Sequence, residues 1–163
     1  MKKLLPLMLV VFAALFSANA AFGQMADTAK PETKTENAKP AEKSLYERLG
    51  GYDALAAVTD DFIGRLASNE KLGKFFVGLS TDSKKKVRQH VVDFLCMATG
   101  GPCAYTGRDM KTSHAGLGIT KEEWDLGGKL LIDTLNKFKV PAKEQGEVMA
   151  AVAGLEKDIV EKK

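Results

Sequence analysis

The sequence predicts an all-α fold, and three observations support this prediction. Apolar residues recur at spacings of three and four along several segments, which is the period of a helix with one buried face. Two motifs, Ser44–Glu47 and Thr120–Glu123, have the form of capping boxes, which mark helix starts. The alternation of apolar and polar residues that a half-buried strand requires is absent over any useful length. We therefore expect about six to seven helices in about 120 residues.

Residues 1–20 have the features of a secretory signal peptide. Two lysines precede an apolar run of 13 residues, Leu4–Phe16, which is too short to span a bilayer. Ala18 and Ala20 occupy the small-residue positions of a cleavage site, so we expect cleavage after Ala20, with a cut after Gly23 as the alternative. No Cys follows that site, which argues against a lipid anchor.

Residues 21–43 are predicted to form a disordered tether. The stretch Gln24–Lys43 contains four lysines, four acidic residues and two prolines, and its apolar residues are small apart from Met25. Such a segment cannot bury enough surface to offset the entropy lost on ordering. The folded domain is expected to cover residues 44–163.

Composition excludes some classes of partner. The 24 basic residues fall to 22 when Lys2 and Lys3 are removed, against 21 acidic residues, which is no electrostatic footprint for nucleic acid. No apolar run beyond the signal peptide is long enough to cross a bilayer. We therefore expect a secreted protein without membrane attachment after cleavage, periplasmic if the source is a Gram-negative bacterium.

The predicted helices follow in chain order from Ser44. A short first helix ends at Gly50-Gly51, and Gly100-Gly101-Pro102 ends a later one. The helical segments are predicted at 44–49, 53–67, 71–76 (helical or 3₁₀), 83–99, 109–115, 120–138 and 141–161. Their apolar faces are predicted to contain Leu55, Val58, Phe62 and Leu66; Val87, Val91, Phe94 and Ala98; Trp124, Leu131, Leu135 and Phe138; and Val148, Val152, Leu155 and Ile159.

Cys96 and Cys103 are the two cysteines of the chain. In an exported protein such a pair is interpreted first as a disulfide, which would contribute roughly 2.5 kcal/mol by closing a loop of about eight residues. Two free buried thiols are the alternative. The spacing fits neither the Cys-x-x-Cys-His motif of covalent haem attachment nor a Cys-x-x-Cys zinc site.

The two histidines, His90 and His114, are the main candidates for chemistry. The chain has no Gly-x-Ser-x-Gly motif, Walker loop, His-Glu-x-x-His motif or dinucleotide fingerprint. His90 lies at the edge of the apolar face of segment 83–99, and His114 lies in segment 109–115. A single histidine in such a place is usually an ordinary core or surface residue. Two imidazoles facing one apolar slot could instead hold haem iron.

Several motifs along the folded part are specific when taken together. They are Leu45-Tyr46-Glu47-Arg48-Leu49-Gly50-Gly51, Phe75-Phe76, Gly100-Gly101-Pro102, Tyr105-Thr106-Gly107, Met110 through His114, and Gly118-Ile119-Thr120. On these residues the chain from Ser44 onward resembles the group I truncated haemoglobins. The resemblance implies a truncated globin two-over-two helical sandwich that binds haem b non-covalently.

The resemblance also implies a role for each candidate site residue. His114 matches the proximal histidine that binds haem iron, and Phe76 matches the phenylalanine that stacks on the porphyrin. His90 matches the position that supplies a second, distal iron ligand in cyanobacterial members. Lys86 matches a lysine that can reach a haem propionate, although the Lys84–Lys86 patch also fits a solvated helix start. The remaining cofactor-binding positions are Phe62, Ile63, Val87, Val91, Phe94 and Met110.

Three distal positions depart from the usual family pattern. Ile63 replaces the usual tyrosine, while Val87 and Val91 stand where glutamine is common. None of these side chains can donate a hydrogen bond, and one such bond to bound oxygen is worth about 1 kcal/mol. The resemblance therefore implies weak oxygen retention and leaves His90 as the nearby polar candidate.

Several functions are compatible with iron held by His114. The main hypothesis is a haem-binding globin for a diatomic gas, namely oxygen, nitric oxide or carbon monoxide. One alternative is a haem enzyme for nitric oxide detoxification, of the dioxygenase type, which would need an unidentified reductase. A second alternative is periplasmic electron transfer, with His90 on the iron in both redox states. The remaining one is a haem-free helical interaction domain in which the histidines are incidental.

Overall fold

The predicted all-α fold is confirmed. The computed structural model describes residues 42–162, so the predicted signal peptide and nearly all of the predicted tether lie outside the described residues. Within 42–162 there is no strand beyond an isolated bridge between Thr120 and Lys162, and no helix is long and apolar enough to cross a membrane. The α-helices are α1 (Leu45–Arg48), α2 (Gly51–Ser68), α3 (Thr81–Ala98), α4 (Met110–His114), α5 (Lys121–Lys137), α6 (Ala142–Ala153) and α7 (Glu156–Ile159), with a 3₁₀ helix (Gly73–Phe76) between α2 and α3.

Side-chain caps fix the starts of four helices. Both predicted capping boxes are present, at Ser44 with Glu47 for α1 and at Thr120 with Glu123 for α5. Each satisfies two backbone groups that would otherwise lack a partner. The segment predicted at 83–99 begins two residues earlier than predicted, because the side chain of Ser80 caps α3.

The four longest helices form two packed pairs, which gives the two-over-two arrangement. Helix α2 packs on α3 and also on α5, and α5 packs on α6. One core cluster joins α2 to α5 and α6, and a second joins α2 to α3. The first cluster contains Val58, Leu131, Leu135 and Val148, and the second contains Leu55, Leu95 and Cys96.

The predicted buried face of α3 is only partly confirmed. Val92, Leu95 and Cys96 are the buried residues of α3, whereas Val87 is 37% exposed and Ala98 is also exposed. Helix α3 has apolar side chains on two adjacent faces, and the spacing rule alone cannot decide which face meets α2. Of the four predicted residues, Val91 and Phe94 are half-buried and pack against the second core cluster.

The predicted last helix is interrupted. Gly154 ends α6, and the amide of Leu155 donates to the carbonyl oxygen of Val152 at 2.9 Å, which is a tight i to i−3 turn. Helix α7 then follows as a separate short helix and buries Ile159. Glycine has a low helix propensity, so this is where the continuous pattern breaks.

Candidate functional site

The short helix α4 carries His114 at its last position. Asp109 caps the helix by accepting hydrogen bonds from the backbone amide of Thr112 at 2.8 Å and from its hydroxyl at 2.7 Å. These bonds stabilise the ionised carboxylate and lower the pKa of Asp109. A helix of five residues has little stability of its own, so α4 depends on this cap and on its neighbours.

The imidazole of His114 has a defined tautomer. Its Nδ1 atom lies 2.8 Å from the carbonyl oxygen of Met110, one turn back along α4. A carbonyl oxygen can only accept a hydrogen bond, so Nδ1 carries the proton and donates it. In the neutral ring the lone pair is then on Nε2, which is the arrangement found in metal-ligating histidines. Within residues 42–162 no hydrogen bond occupies Nε2.

His90 differs from His114 in its hydrogen bonding. It is half-buried on α3, and its Nδ1 atom is buried with no hydrogen-bond partner within residues 42–162. Leaving a buried polar atom unpaired costs about 1–3 kcal/mol. The ring therefore has no internal partner that fixes its tautomer.

Tyr105, in the loop between α3 and α4, packs against His90. The two rings meet edge to face with their centroids 6.0 Å apart, and Phe94 meets the same tyrosine at 5.5 Å. The tyrosine hydroxyl donates to the carbonyl oxygen of Arg108 at 2.6 Å, directly before the Asp109 cap. Burial, together with the negative charge of Asp109, raises the pKa of Tyr105, so the hydroxyl stays protonated and remains a donor.

The same loop is linked to α3 by a disulfide bond. In the structure the sulfur atoms of Cys96 and Cys103 are bonded at 2.00 Å, and Cys96 is fully buried in the second core cluster. Gly101 lies so close that a Cβ atom there would come within 2.7 Å of the Sγ atom of Cys96. A residue with a side chain would therefore displace the loop that positions Tyr105.

The other predicted cofactor-binding residues lie on four elements. Val91 and Phe94 are half-buried against the second core cluster, while Phe62 packs into the first cluster, with α5 and α6. Lys86 is exposed and makes no hydrogen bond or ion pair within residues 42–162, so it is free to pair with an anion. Half-buried positions are also held by Ile63, Phe76 and Met110, and Val87 is exposed.

No amide side chain of α3 replaces the missing distal donors. The amide of Gln89, next to His90, donates to the hydroxyl of Tyr52 at 2.8 Å and to the carboxylate of Asp93 at 2.9 Å. Arg88 is likewise occupied by a two-pronged pair with Asp60, at 2.7 and 2.9 Å. The polar face of α3 is thus used to hold α2.

Two contacts of this region were not predicted from the sequence. The motif containing Tyr105 was noted, and an aromatic residue two positions after Cys103 was an available signal for its contact with His90. Glu161 was not noted at all, although its carboxylate accepts bonds from the amides of Gly116 and Gly118, just after His114. No local pattern identifies a carboxylate that acts 43 and 45 residues away.

Two surface cavities lie away from both histidines. One, of about 200 Å³, is lined by residues of α1 and of the α5–α6 connection, and the other, of about 530 Å³, is lined by the start of α1 and by Gly100-Gly101-Pro102. Within residues 42–162 no three His, Cys, Asp or Glu side chains converge as a metal site. A single imidazole nitrogen, as on His114, is nevertheless sufficient to hold haem iron.

Comparisons with known proteins agree with this architecture. Residues 44–161 match the bacterial-like globin family. The chain is 37% identical over 122 residues to the group 1 truncated hemoglobin of Mycolicibacterium paratuberculosis, covering 75% of this chain and 86% of that protein. It is 36% identical over 115 residues to the group 1 truncated hemoglobin of Synechocystis, covering 68% and 90%.

Solved structures of similar proteins have the same fold. The truncated hemoglobin of Tetrahymena pyriformis in its Fe(III) form aligns with a TM-score of 0.66 at 28% identity, over 72% of this chain and 98% of that one. The 2/2 hemoglobin of Synechococcus, in the cyanomet state with covalently attached heme, aligns with a TM-score of 0.66 at 29% identity, over 74% and 100%. The chain therefore belongs to the bacterial-like globin family, as a group 1 truncated globin.

Proposed function

We propose that the protein is a globin that holds haem b non-covalently and binds a diatomic gas at iron ligated by His114. In this proposal His90 is a second ligand that the gas displaces. When bound, haem supplies the iron at which a gas molecule can bind. The protein supplies the ligating imidazole, the apolar walls and the exclusion of water.

One observation carries the proposal, namely the hydrogen bond from Nδ1 of His114 to the carbonyl oxygen of Met110. This bond orients the ring and raises the basicity of Nε2 towards iron. Family membership supports haem as the group that this nitrogen meets. Non-covalent binding is supported by the cysteines, which are bonded to each other.

The surrounding residues fit a flat apolar group with acidic edges. Val87 on α3 and Leu117 after α4 are large apolar side chains left 37% and 43% exposed. Contact with a porphyrin would remove this surface from water, which is favourable by about 25 cal/mol per Å². Lys84, Lys85 and Lys86 form an exposed cationic turn at the start of α3 that would attract propionates.

The contrast between the two histidines supports an exchangeable distal ligand. A ligating imidazole uses Nε2 and keeps its proton on Nδ1. In His114 the Nδ1–H group donates a hydrogen bond to a carbonyl oxygen, whereas in His90 the Nδ1 atom is buried without an acceptor. An iron bond from His90 would therefore carry the cost of an unpaired donor, and we expect it to be the weaker of the two.

The first test is the visible absorption spectrum of the full chain loaded with haem, recorded without gas and with carbon monoxide. We expect a low-spin six-coordinate spectrum that converts to the carbon monoxide form. His114→Gly should lose stable haem binding and regain it with added imidazole, which replaces the missing ring. A wild-type spectrum for His114→Gly would contradict the assignment of His114.

The role of His90 is tested separately. His90→Ala should convert the ferric spectrum from low-spin to high-spin and speed carbon monoxide binding by roughly tenfold, because the gas no longer competes with a protein ligand. Gln89→Ala is the matched control, since Gln89 is the adjacent residue on α3 and bonds to Tyr52 and Asp93. An unchanged ferric spectrum for His90→Ala would contradict distal ligation.

A second candidate function, electron transfer, is favoured by the packing of His90 against Tyr105. A distal ligand held by an aromatic ring could stay on the iron in both redox states. Unchanged coordination would keep the reorganisation energy of electron transfer small. The same spectra separate the two functions. Persistence of the six-coordinate ferrous form under carbon monoxide would favour electron transfer over gas binding.

We further propose that the protein is exported. The charged start, the apolar run Leu4–Phe16 and the small residues at Ala18 and Ala20 support this proposal. In a Gram-negative cell, the periplasmic fraction should contain a form whose first residue, by mass spectrometry, is Ala21. Recovery of only the uncleaved chain in the cytoplasm would contradict export.

A further inference from the structure

The turn that follows His114 is held by a carboxylate from the end of the chain. One carboxylate oxygen of Glu161 accepts the backbone N–H of Gly116 at 2.7 Å, and the other accepts that of Gly118 at 2.5 Å. Hydrogen bonds to an ionised group are about twice as strong as those between neutral groups. These two amides stabilise the ionised form and lower the pKa of Glu161.

Glu161 is itself anchored by its backbone. The amides of Glu161 and Lys162 both donate to the carbonyl oxygen of Ile119, at 2.9 and 3.2 Å. The amide of Lys121 donates to the carbonyl oxygen of Lys162 at 3.2 Å, which completes the isolated bridge. Ile119 and Ile159 are both buried. The carboxylate is therefore presented from a fixed main chain.

The turn has few other means of keeping its shape. Ala115, the first residue after α4, has extended backbone angles, with φ −57° and ψ 131°. Gly116 and Gly118 have φ values of 81° and 64°, in the left-handed region that favours glycine. The one other backbone hydrogen bond that residues 42–162 show within the turn runs from the amide of Leu117 to the carbonyl oxygen of His114, at 3.2 Å. Apart from Glu161, the position of His114 rests on the Asp109 cap and on the packing of α4 against α7.

We propose that Glu161 is a positioning residue for His114. Its carboxylate fixes the turn after α4 and thereby keeps the His114 ring aligned on the carbonyl oxygen of Met110, so that Nε2 would be available to haem iron. Helix α4 is thus held at both ends by carboxylates, by Asp109 at its start and by Glu161 beyond its end. The inference rests on the proposed function, since it takes His114 as the iron ligand.

The first measurement uses the haem-free full chain and asks whether the contact exists. In Glu161→Gln one oxygen becomes an amide group that cannot accept, and in Glu161→Ala both acceptors are lost. We expect hydrogen exchange at the amides of Gly116 and Gly118 to speed up in both variants, and more in the alanine variant. Glu156→Gln is the matched control, because Glu156 lies in the same segment and its carboxylate faces Lys121 at 3.8 Å.

The second measurement uses the haem-loaded protein in a His90→Ala background, so that His114 is the only histidine ligand. We expect Glu161→Gln to lower the iron–histidine stretching frequency in the ferrous resonance Raman spectrum. Haem transfer to an acceptor globin should be about tenfold faster than in the control, which is the usual size of an effect from a group that orients a ligand. Faster exchange with an unchanged stretching frequency would overturn the positioning role.

Two further outcomes keep the inference separate from the proposed function. Unchanged exchange at Gly116 and Gly118 in Glu161→Ala would overturn the inference, whatever the haem spectra show. The other outcome is faster exchange in Glu161→Ala together with no haem uptake by the His90→Ala protein. This result would support the contact but overturn the proposed function, and the positioning of an iron ligand with it.

Discussion

Two threonines in the core are fully buried and differ in whether the hydroxyl has a hydrogen-bond partner. The side chain of Thr134, on α5, donates to the carbonyl oxygen of Leu130 at 3.0 Å. The hydroxyl oxygen of Thr59, on α2, has no partner within residues 42–162. A buried hydroxyl without a partner costs free energy, whereas a paired one contributes about 1 kcal/mol. The two positions therefore respond oppositely to removal of the hydroxyl.

We predict that Thr59→Val raises the free energy of unfolding by about 1 kcal/mol, because valine has nearly the same shape and no unpaired oxygen. The matched control, Thr134→Val, should lower it by about the same amount. Urea unfolding of the two variants measures both values. A loss of stability in Thr59→Val would mean that its hydroxyl has a partner, for example a buried water.

The candidate site was only partly predictable at the level of single residues. His90 and His114 are the two histidines of the chain, so both were considered at once. Their different hydrogen bonding was not predictable, since it depends on whether a carbonyl oxygen faces Nδ1. Glu161 was missed because its partners are backbone amides, which carry no sequence identity.

At the level of helices, local signals were reliable and long-range packing was not. The capping boxes at Ser44 and Thr120 act within four residues, and both are present in the structure. The choice between the two apolar faces of α3 depends on where α2 lies, so Val92 and Leu95 were not recognised as core. Gly154 was included in a continuous helix because the apolar spacing persists across it.

The bond between Cys96 and Cys103 ties the end of α3 to the loop before α4. We predict that alkylation of the denatured protein adds no mass without reductant and two adducts with it. Reduction should lower the free energy of unfolding by roughly 2.5 kcal/mol, because the loop of about eight residues regains its freedom in the unfolded chain. The variant carrying Cys96→Ala and Cys103→Ala should show the same loss without reductant. Two adducts without reductant would mean free thiols.

Across the whole molecule, ion pairs connect helices that are distant in sequence. Arg48 of α1 pairs with Glu144 and Glu147 of α6. Asp61 of α2 pairs with Lys137 of α5, as well as with Arg65 on its own helix at 2.6 Å. These contacts join the first helix to the sixth and one helical pair to the other. Because an ion pair requires an ionised carboxylate, these contacts contribute to stability only while the carboxyl groups are deprotonated.

Asp61 gives this dependence a defined pH range. The guanidinium of Arg65 and the ammonium of Lys137 lower the pKa of Asp61 to about 2. Since the folded pKa lies below the ordinary value of about 3.9, the stabilisation is present above pH 4 and is lost as the pH falls from 4 to 2.

We therefore predict that Asp61→Asn lowers the free energy of unfolding by about 1 kcal/mol at pH 7 and flattens its decline between pH 4 and 2. Asp133→Asn, on α5, is the control, because the Asp133 carboxylate makes no hydrogen bond or ion pair within residues 42–162. Urea unfolding across this pH range gives both quantities. Parallel pH profiles for wild type and Asp61→Asn would contradict the prediction.

The contact between Glu161 and the glycine turn also has a consequence for the order of folding. The loss of entropy on closing a chain segment of about 45 residues costs roughly 1–2 kcal/mol more free energy than the loss on closing a segment of about seven residues. The five residues of α4 are not stable as an isolated helix before the contact between Glu161 and the turn has formed. We expect the pairing of α2 with α3 to precede the closure of this turn, so that His114 reaches its final position late in folding.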